Sequence, residues 1–293
     1  MTTQEPCLTW SILQSPAGLR PRQKSSAAAF LQIGRSSNKL TLPSDLHPQR
    51  AGRMRQGIAK MKCHTVVVGA SSGVGLATAR KFASRGDRLT LIARSEAGLL
   101  EAAALIDGAP RVLALDMRDG EGAAKAFLHD TIDHVVLTAV TGEMSRLAPL
   151  GELTAVQIEA SFDKLRGYLS FLQAVLPNLA ERASITMLCG LSAVRPGKKG
   201  FALLSAESAS IAGLGKALSV ELAPRRVNVL MCGVLNTPIH GEDRSALRAW
   251  AEESLPARHL GEPEDAADYI FSLANNRYAT GDVAILDGGL ALI

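Results

Sequence analysis

The chain has few aromatic side chains: seven Phe, three Tyr and two Trp among 293 residues. A core of useful size must then be filled by aliphatic side chains, as in parallel sheets buried on both faces. It also lacks any uninterrupted apolar run near the roughly 18 residues of a membrane span, so we expect no membrane partner. The four cysteines (Cys7, Cys63, Cys189, Cys232) include no C-x-x-C pair and have no histidine at ligand spacing. This excludes a zinc motif or disulfide framework and fits a reducing compartment. Acidic residues are scarce only at one end. Residues 1–60 hold nine Lys/Arg against two acids, a net +7, whereas the remainder has 23 basic and 26 acidic residues, a net −3. The overall +4 therefore comes from the first segment, and nothing in the rest suggests a nucleic-acid surface.

Residues 1–60 are rich in Ser, Arg, Gln, Ala and Pro without sustained periodicity. Such a segment buries too little apolar surface to fold, so a disordered tail is expected. Two sharper readings stay open: an organelle transit peptide, or a coding start at Met54 or Met61 with the upstream part over-long. The location is cytoplasmic, or an organelle under the first of these.

From Thr65 the pattern changes. Strands are predicted at 65–69, 88–93, 111–115, 133–140, 184–189, 227–232 and 282–286. Helices are predicted at 76–84, 99–106, 122–128, 153–179, 201–223 and 264–274. Short apolar strands alternating with helices predict an α/β fold, a Rossmann-type doubly wound parallel sheet of about seven strands in one domain over 61–293.

The first strand runs into Gly69-Ala70-Ser71-Ser72-Gly73-Val74-Gly75, followed by a helix. Glycines there permit a tight turn, a close backbone approach to a pyrophosphate, and tight helix–strand packing. The helix N-terminus offers free N–H groups and the positive end of its dipole to the phosphates. Arg94 directly follows the second strand, where an NAD enzyme carries an acid for the ribose 2′-hydroxyl. A guanidinium there suits the extra phosphate of NADP, although Glu96 lies two residues on.

Together with further motifs in order, this loop resembles the short-chain dehydrogenase/reductase superfamily over residues 64–293. Leu115-Asp116-Met117-Arg118-Asp119 resembles the adenine-contacting segment. Ala217–Ala223 followed by Arg226-Val227-Asn228 resembles the family's helix-to-strand signature. Gly233-x-x-x-Thr237-Pro238 resembles the turn that holds the nicotinamide amide. Gly261-Glu262-Pro263, Gly281 and Asp287-Gly288-Gly289 resemble its C-terminal end. The resemblance implies NADP as cofactor, with NAD possible, bound by Gly69, Ser71, Ser72, Gly73, Val74, Arg94, Asp116, Met117, Ala139, Gly233, Leu235 and Thr237.

Catalytic positions depart from the family. Counted back from Glu221, its Tyr and Lys fall at Leu204 and Ser208, its Ser at Gly190 and its Asn at Lys164. Cys232 replaces the Pro of the usual Pro-Gly turn. Lys164, Cys189-Gly190 and Arg195-Pro196-Gly197 resemble an atypical branch without Tyr-x-x-x-Lys. Lys164 is the expected catalytic residue: either an ammonium with a pKa lowered by apolar walls, or a cation that only bonds ribose hydroxyls. Cys189 reads as a small buried residue or a reactive thiol. Glu207 reads as a surface or subunit-contact carboxylate beside Ser205 and Ser208, and His240 and His259 as solvated. The expected activity is NAD(P)-dependent oxidation or reduction of a small carbonyl or alcohol substrate beneath a lid at 239–256. A catalytically inactive cofactor-binding protein and a non-redox enzyme on the same fold are the alternatives. The small residues of the last long helix suggest a homodimer or homotetramer.

Overall fold

The computed structural model describes residues 62–293; the expectations for residues 1–60 lie outside the described residues. Strands β1 (His64–Val68), β2 (Arg88–Ala93), β3 (Arg111–Ala114), β4 (Ile132–Leu137), β5 (Leu179–Gly190), β6 (Arg226–Cys232) and β7 (Val283–Leu286) form one sheet in the order β3-β2-β1-β4-β5-β6-β7. Every neighbouring pair is parallel. The strand order reverses between β1 and β4, which opens a crevice at the carboxyl edge of the sheet.

The aliphatic strands follow from burial on both faces. Val66 and Val68 of β1 enter one core cluster and Val67 enters the other; Val135 and Leu137 of β4 alternate likewise with Val136. Side chains alternate across a strand, so an unbroken apolar run supplies both cores. On one face lie α3 (Gly120–Phe127), α5 (Asp163–Val175) and α6 (Ala202–Glu221), with Phe127, Phe171 and Ile211 fully buried. On the other lie α1 (Gly73–Ser84), α2 (Glu96–Ala104) and α8 (Pro263–Asn275), with Phe82, Leu99 and Ile270 fully buried. Each such side chain contributes about 1.5–3 kcal/mol relative to exposure.

Two expectations need correction. The helix predicted over 153–179 is two helices, α4 (Ala155–Ala160) and α5. At the junction the Ser161 hydroxyl donates to the Ile158 carbonyl at 2.6 Å, and the Phe162 N–H bonds Glu159, three residues back. That tightening turns the chain. Pro177, in a 3₁₀ turn, then ends the helical path before β5 starts at Leu179. Between the strand at 227–232 and the helix at 264–274, where no element was predicted, lies α7 (Ser245–Ser254), whose Ala251 packs with Leu255 and Leu260. Among the described residues no helix is long and apolar enough to cross a membrane.

Candidate active site

The phosphate loop joins β1 to α1 at the crevice. Gly69 has φ +92°, and a Cβ there would sit 2.5 Å from the Ala139 nitrogen. A Cβ on Gly75 would lie 2.0 Å from the Gly69 carbonyl oxygen and 2.7 Å from Thr138 Oγ1. Thr138 closes the base of the crevice, its N–H and hydroxyl both donating to the Val68 carbonyl, at 2.8 and 2.9 Å. Gly73 has φ +53° and faces Thr237 Cγ2 at 3.3 Å from its would-be Cβ, so the turn after β6 meets the loop. Ser72 starts α1 without capping it by its side chain, and the first turn carries no acid. The N–H groups of that turn therefore keep their capacity for an anion.

The structure thus brings Gly69, Gly73, Ala139 and Thr237 together, with Ser71, Ser72 and Val74 in the same loop. Ser71 reaches the first turn of α2, its Cβ 3.6 Å from the position a Cβ of Gly98 would take. Arg94, between β2 and α2, is exposed and forms no ion pair among the described residues. Asp116 is bonded by Arg118 at 2.8 and 3.1 Å, and this, with the more distant Arg94 charge, holds its carboxyl below the usual range. Met117 is buried against Gly167, where a Cβ would lie 2.6 Å from the methionine side chain. Gly233 lies against Asp287, and Leu235 is buried and bridges to Gly261.

Lys164 stands in the first turn of α5 and is buried. One helical turn on, the Tyr168 hydroxyl donates to the carbonyl of Leu137 at 2.8 Å or that of Leu188 at 3.1 Å. Those carbonyls are at the ends of β4 and β5, so this phenol pins the helix to the carboxyl edge and holds Lys164 there. The Lys164 ammonium lies 3.2 Å from Glu143 Oε1, and both side chains are under a tenth exposed. Burial by itself would lower the ammonium; the Glu143 carboxylate 3.2 Å away outweighs it and holds it above the ordinary lysine range. The expected lowering is therefore reversed, because the walls are acidic rather than only apolar.

Glu143, in the short turn after β4, also accepts the Thr141 N–H at 2.9 Å. Its burial is outweighed by the Lys164 charge, so its carboxyl is held below its usual range. Glu207 on α6 is 3% exposed, which corrects its reading as a surface carboxylate. Arg146 lies 3.7 Å from it but donates to Thr141 instead. Burial, reinforced by Glu143, pushes the Glu207 carboxyl up to about 7. Glu143, Arg146 and Glu207 line a small cleft with Leu147, Ser161, Leu203 and Leu204.

Other candidates fall away. Burial pushes the Cys189 thiol up to about 12, so it is not a reactive thiolate. Ser208 is buried with its hydroxyl 3.2 Å from that of Ser192. His259 Nδ1 contacts the Ala257 carbonyl, and His240 is lowered by burial. Sequence reasoning missed Glu143 and Arg146, which no helical or strand spacing links to Lys164 or Glu207. Tyr168 did carry a signal, four residues after Lys164 on one helical face. Among the described residues no cluster of His, Cys, Asp and Glu is arranged to hold a metal ion.

A family model described as enoyl-(acyl carrier protein) reductase matches residues 69–291. Carbonyl reductase family member 4 of Danio rerio is 26% identical over 236 residues, covering 78% of this chain and 98% of that protein. The crystal structure of a small-chain dehydrogenase in complex with NADPH is 25% identical, with a TM-score of 0.66 over 79% of this chain and 100% of that one. The apo structure of a short chain oxidoreductase from Pseudomonas aeruginosa PAO1, described as containing an atypical catalytic center, superimposes with a TM-score of 0.69 at 24% identity, covering 78% and 97%. With a seven-stranded parallel sheet and a phosphate loop at its switch point, the chain belongs to the short-chain dehydrogenase/reductase superfamily of NAD(P)-binding oxidoreductases.

Proposed function

We propose that the protein is an NADP-preferring oxidoreductase that interconverts a carbonyl and an alcohol on a small substrate, with Lys164 as the catalytic cation. The carrying observation is Arg94, exposed and unpaired among the described residues, beside a phosphate loop whose Gly69 and Gly75 leave no room for side chains. The NADPH-bound relative supports the choice of cofactor.

In this reading the loop of Gly69, Ser71, Ser72, Gly73 and Val74 holds the pyrophosphate on the α1 N-terminus, and Arg94 grips the 2′-phosphate. Asp116 and Met117 border the adenine, Ala139 lies beneath the ribose, and Gly233, Leu235 and Thr237 hold the nicotinamide amide. The cofactor supplies hydride chemistry. Lys164 keeps its charge, so its part is to donate hydrogen bonds to ribose hydroxyls and to stabilise negative charge on the substrate oxygen. Leu203 and Leu204 exclude water from the cleft. On the correspondence by count, Leu204 stands at the family's phenol and Ser208 at its lysine, so neither the usual proton donor nor its partner is present.

The test is cofactor titration. The native protein should bind NADP(H) more tightly than NAD(H), and Arg94→Ala should weaken NADP(H) binding at least tenfold more than NAD(H) binding. Equal affinity of the native protein for both cofactors refutes the preference. Binding without turnover across a carbonyl and alcohol panel refutes the enzymatic reading.

A further inference from the structure

Glu207 lies under a tenth exposed at the wall of the cleft, one residue from Ser208. The charged and titratable groups facing it come from three other elements: Glu143 and Arg146 from the turn after β4, Lys164 and Tyr168 from α5, and Cys189 from the end of β5. Among the described residues no N–H or hydroxyl donates to its carboxyl group. Arg146 is the nearest cation, at 3.7 Å, and its N–H groups are directed to the Thr141 carbonyl and hydroxyl. A second buried carboxyl, that of Glu143, lines the same cleft. Glu143 Oε1 is buried and, although 3.2 Å from Lys164, receives no well-directed hydrogen bond.

Two buried carboxyl groups lining one small cleft favour a proton on one of them, because two carboxylates there repel. Glu143 is committed to the carboxylate form by Lys164 and the Thr141 N–H. The proton therefore belongs to Glu207. We propose that Glu207 is a protonated carboxylic acid at the cleft, and that it delivers this proton to the substrate oxygen in the reductive direction and recovers it in the other.

The proposal rests on the oxidoreductase reading above. As the carbonyl carbon accepts hydride from the reduced nicotinamide, the C=O π pair moves to oxygen and the O–H bond of Glu207 breaks toward that oxygen. An alcohol and the Glu207 carboxylate result, the carbonyl reduced and the nicotinamide oxidised. Arg146 at 3.7 Å and Lys164 then stabilise the new carboxylate, and a solvent proton restores the acid. Lys164 itself does not titrate in the working range, which separates its role from that of Glu207.

The first test does not use turnover. Infrared difference spectra of the free native protein across a pH titration should show a buried protonated carboxyl that ionises near pH 7. The band should vanish in Glu207→Gln, which keeps the shape and removes the titratable proton. In Glu143→Gln the midpoint should fall by at least one pH unit, because the neighbouring negative charge is gone. Absence of such a band in the native protein, or its persistence in Glu207→Gln, overturns the proposal. In the second test, Glu207→Gln should bind NADPH as the native protein does, while kcat falls about 10²-fold or more, the usual contribution of a positioned acid. Native turnover retained in Glu207→Gln with an unchanged pH profile also overturns it. A native protein that neither binds NADP(H) nor turns over instead refutes the oxidoreductase reading, with the infrared result still deciding the protonation of Glu207. Should Glu207→Gln not fold, Glu207→Asp supplies the same comparison, with a displaced midpoint expected.

Discussion

Replacing Lys164 by Met tests whether the acidic walls around it are as described. The substitution keeps length and apolar bulk and removes one charge. Glu143 then loses its 3.2 Å partner while still enclosed and still beside Glu207. Breaking a buried pair from one side commonly costs about 3–5 kcal/mol, because a charge is left uncompensated. Protonation limits the loss. A carboxyl of ordinary pKa 4.5 can be neutralised at pH 7 for about 3.4 kcal/mol, at 1.36 kcal/mol per unit. Removing the ammonium also recovers its own desolvation cost, so we expect a net loss of about 2–3 kcal/mol at pH 7. The sign of the pH dependence follows. In the variant the folded-state pKa of Glu143 lies above its unfolded value, so the variant is least penalised below pH 4.5 and most penalised above the raised value. Urea unfolding of native and Lys164→Met protein at pH 7 and pH 5 measures this directly. Lys164→Met combined with Glu143→Gln should regain most of the stability. A loss under about 1 kcal/mol at pH 7, unchanged at pH 5, would refute the buried pair.

Two further predictions are independent of cofactor. His134 of β4 is held to about 4 by burial and the Arg85 charge, its Nδ1 2.7 Å from the Ser184 hydroxyl. Its folded pKa is depressed, so its contribution is present above pH 6.5 and lost as pH falls toward 4. Relative to His134→Gln, the native protein should lose about 3 kcal/mol over that range in chemical denaturation; comparison with the variant is needed because Glu207, with a raised pKa, has the opposite slope. The exposed small residues Ala202, Ala206, Ala209, Gly213 and Ala217 of α6 lie on one face with Val220, which is 80% exposed. We expect that face to pair with a second copy, giving a dimer or tetramer; a monomer by light scattering at micromolar concentration would contradict this.

The sheet was legible because its signals are local. The central strands β1, β4 and β6 are apolar runs buried on both faces, and β2 falls at the residues predicted, 88–93. Helix limits were less legible where tertiary contacts decide them. The break between α4 and α5 depends on the Ser161 hydroxyl turning back to Ile158, a choice open to serine in any helix. The helix α7 did carry a pattern, with Leu247, Trp250 and Ala251 at helical spacing, and Asp243 accepting the Ser245 N–H at its start. Its many charges concealed it. Of the candidate site, the phosphate loop was readable because glycine types report backbone demands. The acid–base cluster was not, because Glu143, Lys164 and Glu207 lie on three elements and meet only in the fold.

The substitutions at the catalytic positions are consistent with one another as a set. On the correspondence by count, a lysine is lost from position 208 of α6 and one is present at position 164 of α5, beside the same strand ends. The serine at 208 is small enough to sit against Gly190, where even a Cβ would approach its hydroxyl to 3.3 Å. A buried lysine in the new place requires an anion, which Glu143 provides. With Leu204 in place of a phenol, the family's usual proton donor is missing from α6. Glu207 is the adjacent side chain that turns toward the relocated charge, and it is the one group in the cluster held near neutrality. Reverting one position alone should therefore fail. Ser208→Lys would bring a second ammonium against Lys164 and Arg146 with only two carboxyl groups to balance three cations. Leu204→Tyr would restore a phenol without the lysine that normally lowers it.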